Sequence, residues 1–238
     1  AEACIERFVL QMVATGADPA RPVLPGSRAD GIARQPTLDE LLPRVLARRK
    51  SSGPQHRTRG KMPRVRPVHR LDRETSGCVL VAKSSSVARK LGKMMGRREI
   101  KKSYQAIVSG WPDWKEVCVT EPIRRKGEFE ESEIWVKQAV HPEGKASETG
   151  FRLEGIFKNG GDRFAMIGCE PRTGRTHQIR VHLEYLGYPI VGDAVYGKGP
   201  VKQRGLQVSA IEAINGFPRQ ALHARNLKLI HPLAVVPG

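Results

Sequence analysis

Between Gly77 and Ile230 the apolar residues fall into short runs separated by short polar turns. That pattern limits the fold more than any other feature of the chain. Strands are expected at Gly77–Lys83, Tyr104–Val108, Glu133–Val140, Phe151–Phe157 and Phe164–Cys169, with a strand or extended segment at Gln220–Ile230. Two helices are expected among them. One follows a cap in Ser84–Ser86 and runs through Met95, with Val87, Leu91, Met94 and Met95 facing inward. The other runs from Arg175 to Leu186 and is closed by Gly187. Strands outnumber helices and no repeat is visible. The expectation is an α+β domain: a mixed, largely antiparallel sheet with flanking helices. At 238 residues the chain buries roughly 70–75% of its extended surface, so a core alone can hold it together. No apolar run approaches the ~20 residues of a membrane-spanning helix.

The charge is lopsided. Lys plus Arg number 41 and Asp plus Glu 24, a net of +17, which points to a polyanionic partner. Aromatic residues make up 5%, too few for a broad base-stacking platform. Arg44–Arg73 holds eleven Lys or Arg, among them Arg64, Arg66, Arg70 and Arg73, and one acid, Asp72. Its Ser51–Gly60 part has no apolar pattern and is expected to be flexible until it meets a partner. Residues 1–61 read as an extension and 62–238 as the folded domain. Within the extension, Ile5, Phe8, Val9 and Met12 fit a helix or a strand. Thr37 and Glu40 form a capping box before Leu41–Ala47, where Pro43 argues against a regular helix.

Several chemistries can be set aside. Cys4, Cys78, Cys118 and Cys169 form no CxxC pair, so neither a zinc site nor a disulfide framework is expected. His177 and His182 are spaced for different helix faces, and no metal site is expected. Gly192–Gly199 (GDAVYGKG) nearly matches a phosphate-binding loop. It ends in Gly199 where a magnesium-binding hydroxyl would stand, and Pro200 follows, so no nucleotide cofactor is expected.

Two segments concentrate reactive groups. In His69–Lys83 (HRLDRETSGCVLVAK), Asp72 lies between Arg70 and Arg73. Flanking positive charge keeps such a carboxylate ionised. Thr75, Ser76 and Gly77 make a polar turn that can fix the loop. In Thr173–His182 (TGRTHQIRVH), Arg175, His177, Gln178, Arg180 and His182 crowd around one helix start. Residue types alone leave two readings open for each segment. Asp72 is a surface ion pair or a catalytic carboxylate. The second segment is a solvated basic helix or a scaffold whose arginine turns inward to that carboxylate.

Together these segments resemble the RluA-like family of pseudouridine synthases. The resemblance rests on HRLDRETSG at His69–Gly77, KSYQAIVSG at Lys102–Gly110, GKASETGFRL at Gly144–Leu153, Arg172–Gly197 with TGRTHQIRVHL and LGYPIVGDAVYG, and ALHARNLKLIHP at Ala221–Pro232. Order and spacing agree over roughly residues 62–233. One element departs from the family pattern. Val9–Gly26 keeps a trailing PVLPG but lacks the Asn-Lys-Pro of the family's first motif.

The resemblance implies a pseudouridine synthase domain that isomerises uridine in RNA, ribosomal RNA above all, without cofactor or metal. It implies Asp72 as the catalytic aspartate, Tyr104 against the target base and Arg180 paired with Asp72. Arg175, His177 and Gln178 would shape the pocket and hold phosphate or ribose, and Arg70 would lie beside the flipped nucleotide. Arg73, Lys102, Arg64 and Arg66 complete the expected RNA contacts. The expected partner is ribosomal RNA or a pre-ribosomal particle. The alternatives are a synthase-like factor that binds RNA in ribosome assembly without needing catalysis, and a basic structural protein of a ribosome. High arginine content, the Ala1 start and the basic extension lead us to expect a mitochondrial location, with cytoplasm or nucleus as the alternatives.

Overall fold

The computed structural model describes residues 65–159, 162–197 and 219–233. The expectations for residues 1–61 and for Arg64 lie outside these. Among these described residues, ten strands and two helices follow in order: β1 Arg66–Pro67, β2 Ser76–Gly77, β3 Val81–Ala82, α1 Ser85–Gly96, β4 Lys101–Ser109, β5 Glu116–Val119, β6 Ile123–Arg125, β7 Gln138–Val140, β8 Thr149–Asn159, β9 Asp162–Pro171, α2 Gln178–Tyr185 and β10 Leu222–Lys228.

Six strands form the central sheet in the order β2-β10-β4-β9-β8-β5. β2 runs parallel to β10 and every other pair is antiparallel. The α+β expectation of a mixed, largely antiparallel sheet with flanking helices therefore holds. Register matters here because side chains alternate between faces. Gly77, Ala224, Tyr104, Cys169, Phe151 and Val117 stand in one row across all six strands. On the face that carries Tyr104, the residues Ala106, Val108, Ile167 and Phe151 pack against Ile179 and Leu183 of α2. A second cluster seats α1 through Leu91, with Val87, Met94 and Met95, beside Ala82 and Leu227. Ser84 caps α1, its hydroxyl accepting from the Val87 amide at 3.3 Å.

The structure corrects several expected boundaries. Gly77–Lys83 is not one strand. Gly77 has φ +117°, open to glycine alone, and it breaks the run into β2 and β3. Glu133–Val140 is strand only from Gln138. Residues 133–136 are all exposed, so no buried face holds them in a pleat. β5 and β6 were not foreseen, being only four and three residues long. α2 starts at Gln178 rather than Arg175, because His177 sits in the left-handed region at φ 55° and cannot continue a helix. Its end follows expectation: Gly187 takes φ +84° and the Tyr188 amide donates to the Leu183 carbonyl at 2.9 Å, a Schellman closure.

Candidate active site

Asp72 sits in the turn between β1 and β2, at the edge of the main sheet. The loop is fixed by bonds that its polar sequence makes possible. The Thr75 amide donates to the Asp72 carbonyl at 3.0 Å. The Leu80 amide donates to His69 Nε2 at 2.9 Å. Ser76 Oγ pairs with His223 Nδ1 at 2.9 Å. His69 is thereby held as an acceptor, and burial lowers its pKa, so the ring stays neutral.

Arg180 comes up from α2 beneath this loop. It is buried, with a side chain only 6% exposed. Its Nε donates to Asp193 Oδ2 at 2.7 Å and its Nη2 to Asp193 Oδ1 at 2.8 Å. Its remaining nitrogen, Nη1, lies 3.5 Å from Asp72 Oδ2. The expected Asp72–Arg180 ion pair is present, but it is the second of two. The bidentate partner is Asp193, to which the sequence reading gave no role. Burial alone would lower the arginine's pKa, yet Asp193 and Asp72 raise it overall. Burial alone would raise the Asp193 carboxyl, yet Arg180 and the amides of Val195 and Tyr196 hold it below the ordinary carboxylate range. Those amides donate to Asp193 Oδ1 at 2.9 and 3.1 Å. One arginine thus spans two carboxylates, one sealed in the core and one at the surface of the cleft.

Tyr196 forms the adjoining wall. The Arg180 guanidinium carbon lies 4.9 Å from its ring centroid. The Gln138 amide donates to the Tyr196 hydroxyl at 2.9 Å, which leaves the hydroxyl proton for His177 Nδ1, also at 2.9 Å. Burial lowers the His177 pKa and the neighbouring Arg180 and Arg70 charges add to this, against the opposing pull of Asp72 and Asp193. The ring is therefore neutral at pH 7. Tyr104, two strands in from β2, faces the same cleft. Burial, aided by the Asp72 and Cys169 charges, pushes its phenol up to about 12. It is a protonated phenol at neutral pH, with a flat face and a polar tip.

The other expected residues fall into two groups. Arg70 is exposed at the cleft, close enough for its charge to act on His177. Lys102 is half-buried on the Tyr104 face. Its ammonium lies 3.6 Å from where a Cβ on Gly174 would sit, and burial lowers its pKa. Arg175 is partly exposed and its Nε donates to the Ala146 carbonyl at 2.9 Å. Gln178 is different: it is buried and its amide is spent inside the fold. Its Oε1 accepts from Thr173 Oγ1 at 2.7 Å and the Arg175 amide at 3.0 Å. Its Nε2 donates to the Glu148 carbonyl at 2.9 Å and Thr149 Oγ1 at 2.8 Å. It shapes the 173–177 loop and has no donor left over. His182 is likewise buried, between Thr149 Oγ1 and the Glu121 carbonyl. Arg66 and Arg73 are exposed on β1 and on the Asp72 turn.

A concavity of about 650 Å³ is lined by Tyr104 and Cys169 together with Arg152, Glu154, Glu170 and Arg225, so carboxylates and arginines share it. Among the described residues no cluster of three potential metal ligands occurs.

Sequence comparison agrees with this geometry. The sequence model for RNA pseudouridylate synthase matches residues 41–185. A Yersinia pestis protein named ribosomal large subunit pseudouridine synthase D is 38% identical over 172 residues, covering 72% of this chain and 50% of that protein. The protein of that name from Escherichia coli K12 is 38% identical over 173 residues, with 73% and 50% covered. The chain therefore spans about half the length of these relatives. Among solved structures, human RNA pseudouridylate synthase domain containing 1 superposes with a TM-score of 0.55 at 29% identity, covering 69% of this chain and 64% of that one. Human RNA pseudouridylate synthase domain containing 4 shares the fold, with a TM-score of 0.54 at 24% identity and 69% and 67% covered. An aspartate tethered by a buried, doubly paired arginine, facing a protonated tyrosine, sits where the matched motifs meet, and the chain belongs to the RNA pseudouridylate synthase family, among its RluA-like members.

Proposed function

We propose that this chain isomerises uridine to pseudouridine in ribosomal RNA, with Asp72 as the catalytic group. The observation that carries the proposal is the bridge from Asp193 through Arg180 to Asp72. A carboxylate must stay ionised and aimed while a base and a ribose exchange one bond for another. In the reaction the N1–C1′ bond breaks and a C5–C1′ bond forms. C5 loses a proton and N1 regains one, so no atom is gained or lost overall. A buried guanidinium that is already fixed by Asp193 sets a positive charge 3.5 Å from Asp72 Oδ2, and it does so without reorganising during the reaction. Tyr104 supplies the flat wall against which an extruded uracil can turn. Arg70, Arg73 and Lys102 supply positive charge where the sugar–phosphate backbone would pass. Extruding the base costs a few kcal/mol, and the basic surface offsets this through phosphate contacts. We extend the proposal to a pre-ribosomal particle as the physical substrate, since an unstacked uridine is reached most readily before the RNA is fully packed.

The test is a pseudouridine map of cellular RNA by carbodiimide modification and reverse transcription. Cells carrying only wild-type protein are compared with cells carrying only Asp72→Ala. Loss of one or more sites in the variant, with RNA binding retained, is the expected result. Survival of every site, with ribosomes damaged only when the whole protein is deleted, would show instead a binding factor that does not need Asp72.

A further inference from the structure

The most exposed large apolar side chain among the described residues is Trp135, at 74%. It lies between Ile134 and Val136, which are also exposed, in the loop joining β6 to β7. An indole left so far in water needs a reason. The loop is not slack. Its first turn, Lys126–Glu128, is a 3₁₀ turn, and the Lys126 amide donates to the Lys137 carbonyl at 2.9 Å. Phe129 packs on His141 with centroids 4.3 Å apart. Arg124 ties Glu128 to Glu143. The Trp135 ring itself rests on the Arg125 guanidinium, 4.0 Å from its centroid. One face of the indole is thus held by a cation and the ring is aimed in advance.

The loop ends at the cleft. Lys137 Nζ lies 5.9 Å from the Tyr196 ring centroid, and the next residue, Gln138, donates to the Tyr196 hydroxyl. Tyr196 in turn touches Arg180 and His177. Trp135 therefore stands two residues from the cleft wall. The stretch before it carries Glu130, Glu131 and Glu133, of which Glu130 is paired with Lys126 at 3.1 Å. Glu131 and Glu133 repel phosphate, so a nucleic acid meeting this loop would meet it by a base and not by its backbone.

We propose that Trp135 is a stacking site for an unpaired base of the bound RNA, one or two nucleotides from the uridine that enters the Asp72 cleft. The proposal rests on the RNA reading above for what fills the cleft. It adds a contact that reads single-strandedness beside the target. Stacking on an aromatic ring is worth on the order of a five- to hundredfold change in affinity per base. A base sandwiched over a Trp–Arg pair belongs in that range.

The test uses the full chain, a synthetic stem-loop with a uridine-containing loop, and a series of the same stem-loop with one loop nucleotide at a time made abasic. Affinity is measured for wild type, Trp135→Ala and Trp135→Phe across a salt series. Expected are a roughly tenfold or greater loss for Trp135→Ala, most of it restored by Trp135→Phe, with the slope of log affinity against log salt unchanged. At one loop position the abasic RNA should bind wild type and Trp135→Ala alike. Equal binding by Trp135→Ala and wild type on the intact stem-loop would overturn the proposal. So would a loss that no abasic position abolishes. Unchanged RNA affinity, together with lost association with RNase-treated ribosomal particles, would overturn it in favour of a protein-docking loop. Trp135-dependent binding without pseudouridine formation would sink the proposed activity and leave this site standing. Pseudouridine formed equally by wild type and Trp135→Ala, with equal binding, would do the reverse.

Discussion

Arg180 is the residue on which the cleft turns, and Asp193 is what allows it to be there. A guanidinium this deeply buried requires a counter-charge, and removal of that partner strands it. Asp193→Asn is expected to lose about 3–5 kcal/mol of stability, read by urea or thermal unfolding, and to lose activity with it. Arg180→Lys keeps the charge but not the fork. It is expected to fold, because Lys can still answer Asp193, and to lose at least a hundredfold in turnover, because one ammonium cannot also aim Asp72. Single-turnover kinetics on a uridine stem-loop would separate that loss from weaker binding. At this scale the sequence was partly legible. Asp72, Tyr104 and Arg180 stood in recognisable segments, and Arg180 was expected inward. Asp193 stands in GDAVYGKG, whose residue types suggest a phosphate loop more readily than a buried counter-charge. A signal was present: Asp193 is the only acid between Glu184 and Glu212, and a buried arginine on the preceding helix needs an anion nearby. Tyr196 and Gln138 carried no comparable signal, since their bond joins residues 58 apart.

The elements hold these residues by a few special positions. Gly77 is one. A Cβ there would fall 2.2 Å from the Ala224 carbonyl oxygen, on a backbone at φ +117°. Gly77→Ala is therefore expected to separate β2 from β10 and displace the Asp72 turn. Circular dichroism should report a retained sheet, while activity is lost. The loop before α2 is another. Gln178 closes it with four hydrogen bonds, which explains why a segment that reads as helix from Arg175 begins three residues later. Periodicity reports which face of an element is buried, not which side chain will take over the backbone's hydrogen bonds, so such a boundary is invisible to pattern alone. The same limit explains the lost half of the expected Glu133–Val140 strand. Its residues include the β-branched and aromatic run Ile134–Trp135–Val136, but no layer covers them.

For the whole molecule, buried histidines set the acid limit. Burial leads the causes that lower the pKa of His69, His177 and His182, while an unfolded chain protonates near 6.5. The unfolded state therefore binds more protons as pH falls below about 6.5, and stability falls with it. Stability from these groups is present above that pH and is lost as pH drops through their lowered folded values. Asp193, also lowered, extends the loss into the carboxylate range below about 3.9. Unfolding free energy is expected to decline between pH 7 and 5, and less steeply in His182→Gln, which removes one such site. With a net charge of +17, the proposed RNA binding is expected to be steeply salt dependent. Six to ten phosphate contacts would cost roughly 10³–10⁵ in affinity between 50 and 200 mM salt.

The parallel pairing of β2 with β10 has a consequence for when the protein can work. Ser76 lies opposite His223, so the edge strand that carries the Asp72 turn finds its neighbour only after nearly 150 further residues have been made. Most of the sheet, from β4 through β9, can zip locally as it leaves the ribosome. The cleft cannot. A nascent chain would hold its arginines among the ribosome's own RNA with no assembled cleft, and the emergence of β10 would complete it.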